Sequence, residues 1–145
     1  MKKASKIILI SSIIVFLCCA CWGHKEINGI EVSELLLVVS EEQNIDYCKL
    51  LNEATKGNES SIKEIALLDF SDGAAYDHGA VLVDLIEKIG EEKFVQSIKT
   101  INDREKKWIK GSLEVGIEYG GNANMRGQTL KDVFPKIYDF LNSAY

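Results

Sequence analysis

Apolar residues recur at a helical period along most of the chain after Val32, and the breaks between periods fall at polar or glycine-bearing stretches. Ser33 is placed to cap a first helix over Glu34 to Ser40. The run Leu35-Leu36-Leu37-Val38-Val39 also suits a buried strand, but a helix is expected because no later segment offers a partner strand. Asn44 or Asp46 opens a second helix through Tyr47, Leu50, Leu51 and Ala54, with Gly57 as its stop. Ser60 or Ser61 caps a third, whose apolar face is Ile62, Ile65, Ala66 and Leu68. After Ser71-Asp72-Gly73 a longer helix runs from about Ala75 to Ile89. It carries a wide stripe of Tyr76, Ala80, Val81, Leu82, Leu85, Ile86 and Ile89, all expected to be buried, which predicts a central position.

Gly90 ends that helix, and Glu91-Glu92 begin another with Phe94, Val95, Ile98 and Ile101 on one face. Asn102 caps the next, which carries Trp108, Ile109, Leu113, Val115, Ile117 and Tyr119 and closes at Gly120-Gly121. A polar loop to Gly127 precedes a last helix, Thr129 to Leu141, in which Pro135 predicts a kink. The expected fold class is therefore all-α: a single irregular bundle of about six helices over residues 31 to 145. Ser61-Ile62-Lys63-Glu64-Ile65 recurs as Ser97-Ile98-Lys99-Thr100-Ile101, 36 residues on. In this the middle of the chain resembles the two-helix units of HEAT and tetratricopeptide arrays, so stacked helical hairpins stand beside the irregular bundle as an arrangement.

The N-terminus has another character. Lys2, Lys3 and Lys6 precede an uncharged run from Ile7 to Ala20, 14 residues long, where a membrane span needs about 20. The run ends Leu17-Cys18-Cys19-Ala20-Cys21. This stretch resembles a bacterial lipoprotein signal peptide, in which a small residue precedes a cysteine that is acylated on sulfur and becomes the mature N-terminus; Ala20 and Cys21 match those two positions. Cys18 and Cys19 depart from the aliphatic and small residues usual before that junction. The resemblance implies cleavage after residue 20, lipidation of Cys21, a tether over residues 21 to 30, and export to a membrane surface of the bacterial cell envelope. Cys48 is then the one thiol left in the mature domain. Beside Leu50 and Leu51 it reads as a small apolar side chain rather than a nucleophile, and packing without disulfides must hold the fold.

Charge narrows the choice of partner. The full chain carries −5; removing three lysines with the leader leaves 14 basic against 22 acidic side chains, a net −8. Such a surface does not suit phosphate backbones, so no nucleic-acid partner is expected. No Walker loop, no Gly-x-Gly-x-x-Gly, no His-Glu-x-x-His, no pair of Cys-x-x-Cys motifs and no Gly-x-Ser-x-Gly occurs. The densest chemical grouping is Asp69, Asp72, Tyr76, Asp77 and His78, and a histidine among carboxylates suggests zinc or a general base. The alternative is a helix start with its caps and an internally bonded histidine. The only other histidine, His24, lies on the expected tether.

Gly79, Gly111 and Gly116 fall inside helical patterns, each costing about 1 kcal/mol relative to alanine. Close helix packing explains such glycines; so does the floor of a groove. If the helices around residues 75–89 and 103–119 pack together, Tyr76, Asp77 and His78 meet Glu114, Glu118 and Tyr119. The surface so formed, with Tyr76, Asp77, His78, Glu114 and Glu118 as its core, is the expected docking site for a protein partner. The function expected is that of a non-enzymatic lipoprotein, attached to the membrane by its lipid, that binds a protein, inhibitors of the immunity kind being one example. No cofactor or metal is expected. A structural adaptor of an envelope complex and a His78/carboxylate hydrolase are the alternatives.

Overall fold

The computed structural model describes residues 24–143, which hold a two-stranded hairpin and eight helices. Strands β1 (Lys25–Ile27) and β2 (Ile30–Val32) pair antiparallel, Ile27 against Ile30 and Lys25 against Val32. Asn28 and Gly29 join them, both at positive φ (51° and 83°), the geometry that a two-residue type I′ turn requires. Ile27, Ile30 and Val32 are buried, and the hairpin packs on the second and fourth helices. Residues 25–30, within the stretch read as a tether, thus belong to a hairpin that buries Ile27 and Ile30. The leader, Cys21 and the first residues of the tether lie outside the described residues.

The helices are α1 (Glu34–Glu42), α2 (Tyr47–Thr55), α3 (Glu59–Ala66), α4 (Asp72–Ile89), α5 (Glu91–Ile98), α6 (Asp103–Tyr119), α7 (Leu130–Val133) and α8 (Pro135–Asn142). Ser33, Asp46 and Asn102 cap α1, α2 and α6 through side-chain oxygens, and Asn102 forms a full capping box with Glu105. The third cap is Asn58, not Ser60 or Ser61: its Oδ1 accepts from Ser61 N at 3.0 Å, which starts α3 earlier than the apolar period suggests. The last expected helix is two. Phe134 leaves helical geometry (φ −132°, ψ 71°), and Pro135 starts α8 at a position where its missing N–H has no partner to lose.

The described residues hold eight helices where about six were expected, and the class is all-α. Helix α4 occupies the centre as its wide stripe predicts, with its longest contact against α6 and further contacts to α1, α2, α5 and β2. Helices α2, α3 and α5 follow one another as a second layer, and α8 closes the far side against α5 and α6. There Lys106 Nζ donates to the backbone and hydroxyl oxygens of Ser143 and lies 5.0 Å from the Phe140 ring centre. The matching pentapeptides are not equivalent in space: residues 61–65 lie inside α3, whereas residues 97–101 begin at the penultimate position of α5 and run past its end. Among the described residues no helix is long and apolar enough to cross a membrane.

Candidate partner-binding site

Two glycines set the distance between α4 and α6. A Cβ on Gly116 would lie 2.1 Å from the carbonyl oxygen of Gly79, and one on Gly79 would lie 2.5 Å from that of Ser112. No side chain fits at either position, so the backbones touch and the cost of helix-interior glycine is offset by close packing. Gly111 is different. A Cβ there meets nothing within 4 Å.

Gly111 lies instead on a cleft of about 310 Å³ between the two helices. Ala75, Tyr76 and His78 line it from α4, Trp108, Ser112 and Val115 from α6, and Phe70 closes one end. Trp108 Nε1 donates to the carbonyl of Leu68 at 3.2 Å, which fastens the indole to the connection between α3 and α4. Beyond the cleft the rings of Tyr76 and Tyr119 meet edge to face at 5.2 Å, 47% and 64% exposed. Gly73, one turn before Tyr76, is covered by Leu35 of α1. The large hydrophobics exposed among the described residues are Leu35, Val38, Tyr76, Trp108 and Tyr119. Val38 sits one turn from Leu35 on α1, Leu35 reaches Gly73 at the start of α4, the Tyr76 and Tyr119 rings meet, and Tyr76 and Trp108 both line the cleft.

The candidate residues taken from sequence do not all reach this face. Tyr76 does, contrary to the expectation that it is buried. Glu114 and Glu118 do, exposed along α6 in one stripe with Lys107 and Gly111. Glu118 also accepts from the backbone N–H of Gly127 at 3.2 Å, tying the following loop to the helix. Asp77 is half-buried and turned to α1, where it accepts a hydrogen bond from the Ser33 hydroxyl. Through that bond Ser33 joins α1 to α4 while its own oxygen caps Leu36 N.

His78 is a correction: it is 2% exposed and belongs to the core, not to a docking surface. Its Nδ1 lies 2.8 Å from the Tyr47 hydroxyl, and its ring packs edge-on to Phe70 at 5.0 Å. Nε2 makes no hydrogen bond of normal geometry, although the Ile65 carbonyl is near enough to favour the protonated ring slightly. The assignment that serves most atoms has Tyr47 O–H donating to Nδ1, with the imidazole proton on Nε2 toward that carbonyl. Burial pushes the His78 pKa down to about 4, so the ring is neutral at pH 7. Burial, then the charge of Asp77, raises Tyr47 well above the usual phenol range.

A hydrolytic site built on His78 therefore has no pairing to rest on: its one bonded partner is Tyr47, Asp77 is bonded to Ser33, and Asp69 and Asp72 are not buried with it. Among the described residues no three His, Cys, Asp or Glu side chains converge on a metal-sized site. One long-range contact escaped the sequence. Lys25 Nζ donates to Cys48 Sγ at 3.2 Å, bringing an ammonium group from β1 to the α2 thiol. No protein-family model matches this chain, and no curated protein or solved structure shows significant similarity to it.

Proposed function

We propose that this protein is a lipoprotein of the bacterial cell envelope, anchored through Cys21, that acts by binding a protein partner across the α4–α6 face. The observation that carries the reading is the group of exposed aromatics at the cleft, Tyr76, Trp108 and Tyr119. Isolated exposed apolar residues need no explanation, but exposed aromatics grouped beside a cleft are costly to leave in water and typical of interaction surfaces. Tyrosine and tryptophan are also the residues that most often dominate binding energy. The carboxylates of Glu114 and Glu118 on α6, and the net −8 of the mature chain, favour a basic partner and accelerate its approach. Inhibition by occupancy, as in immunity-type lipoproteins, needs nothing further from this domain.

Two measurements test the reading. Cells fed a labelled fatty acid should yield labelled, membrane-associated protein, and Cys21→Ala should abolish the label and the association. In those membranes, Tyr119→Asp should abolish partner capture while leaving the thermal midpoint unchanged. An unlabelled wild type overturns the anchor, and capture unaffected by Tyr119→Asp overturns the surface. A structural adaptor would be recognised by stable co-purification with several components rather than one.

A further inference from the structure

Packing inside the domain does not account for the composition of α1. Leu35-Leu36-Leu37-Val38-Val39 fills the middle of this nine-residue helix, and five successive residues at about 100° each cover its whole circumference with apolar side chains. A helix that is apolar all round belongs in a core. The domain encloses only part of it: Leu36 is fully buried, Leu37 and Val39 are partly covered, and Leu35 and Val38 remain 49% and 46% exposed. Leu35 reaches over Gly73 at the start of α4 and is still half in water. We propose that Leu35 and Val38 rest on the lipid surface that holds the chain, an inference that depends on the Cys21 anchor proposed above.

The occupant follows from how little chain separates the anchor from the fold. Strand β1 starts at Lys25, and the four residues from Cys21 to that point extend over at most about 14 Å. The hairpin brings this entry to α1: Lys25 pairs with Val32, about 5 Å away between Cα atoms, and Ser33 then caps the helix. Lys25 also shares the wall of a cavity with Leu37 and Glu41 of α1. The chain therefore enters the domain at the flank of α1, and the anchor keeps that flank within reach of the bilayer. Two apolar side chains alone would not hold a protein on a membrane, but beside an anchor they have only to select an orientation. Glu34, Glu41 and Glu42 are exposed around the pair and the mature chain is acidic, so the contact is apolar rather than an attraction to anionic headgroups, and salt does not weaken it.

The test expresses the full chain in bacteria, purifies it in detergent and reconstitutes it into phosphatidylcholine vesicles whose acyl chains carry bromine near the headgroup, a short-range quencher of indole. In a Trp22→Phe/Trp108→Phe background, which removes both native indoles, Val38→Trp puts a reporter on the outer face of α1. Asp139→Trp puts one on the exposed side of α8, which packs on α5 and α6. Relative to unbrominated vesicles the Val38→Trp protein should lose about half its emission, at low and high salt alike, and the Asp139→Trp protein almost none. Leu35→Trp is the second reporter should a tryptophan at 38 perturb folding. Unquenched emission from both α1 reporters, or equal quenching at 139, overturns the lipid contact. Emission from 38 that bromine leaves unchanged but that shifts to shorter wavelength as protein density on the vesicles rises also overturns it, and assigns the pair to a second copy of the chain. Flotation of the same vesicles separates the two readings: a protein that does not float with them overturns the anchor and the contact together, and one that floats unquenched overturns the contact alone.

Discussion

Interior glycines of α4 and α6 stand in two settings within two turns of each other. At Gly79 and Gly116 the backbones are so close that an added methyl would overlap a carbonyl oxygen; Gly111, exposed on α6, faces open space. The residue type is identical and its physical role is opposite. Glycine at the crossing permits contact, whereas a side chain at 111 would meet nothing. A sequence shows only that each glycine weakens its helix, so the two roles are separated by what a side chain would strike.

The comparison is broken most severely at the crossing. Gly116→Ala should destabilise the domain by about 3 kcal/mol, the upper part of the range for overpacking, since the obstacle is backbone that cannot rotate away. The urea midpoint measures it, and a loss below about 1 kcal/mol would mean that the helices separate easily. Gly79→Ala should behave similarly.

The second effect is a pH dependence on the core side of α4. His78 takes up a proton at about pH 4 in the folded state and at 6.5 in the unfolded chain. Between these values the unfolded state binds more protons, so stability falls as pH falls from 6.5 toward 4, by about 3 kcal/mol in all. Asp84, half-buried and with its pKa raised chiefly by burial, acts in the opposite sense. The His78 contribution is therefore read as a difference in slope between wild type and a Tyr47→Phe/His78→Leu variant, which removes the bonded pair together. Parallel slopes would contradict the assignment.

Gly111→Ala should do the reverse of its neighbours and stabilise the domain by about 0.5–1 kcal/mol, through helix propensity alone. Smallest of all, Glu114→Lys should leave the urea midpoint within about 0.5 kcal/mol of wild type, as an exposed site away from caps and ties. It should slow partner association strongly at low salt and weakly at high salt. Measured on rates, a salt-independent effect would point to a direct contact instead of steering.

Much of this fold was legible because long amphipathic periods and their caps agree: Asn102 with Glu105, the Gly90 break and the broad stripe of α4 each lead to the element found. The hairpin was missed although Ile27-Asn28-Gly29-Ile30 carries the strongest local hairpin signal, an Asn-Gly between apolar residues. Strands of three residues are too short for alternation to emerge as a pattern. The candidate site was half legible. Tyr76, Glu114 and Glu118 reach the face, whereas Asp77 and His78 were grouped with them by adjacency. Successive helical residues point about 100° apart, so Tyr76, Asp77 and His78 turn to α6, α1 and α2 in order. Tyr76 itself was expected inside, but a stripe wider than its neighbours can cover leaves one edge in water. The cleft and the Lys25–Cys48 contact depend on tertiary approach and have no local signal.

The central claim, that the α4–α6 face is where a partner docks, is tested most directly by site-specific photo-crosslinking in intact cells. A photoreactive phenylalanine placed at Tyr119 should give a single adduct with one protein, and the same group at exposed Lys99, after α5 and away from the cleft, should give none. Adducts at Lys99 with none at Tyr119 would contradict the account.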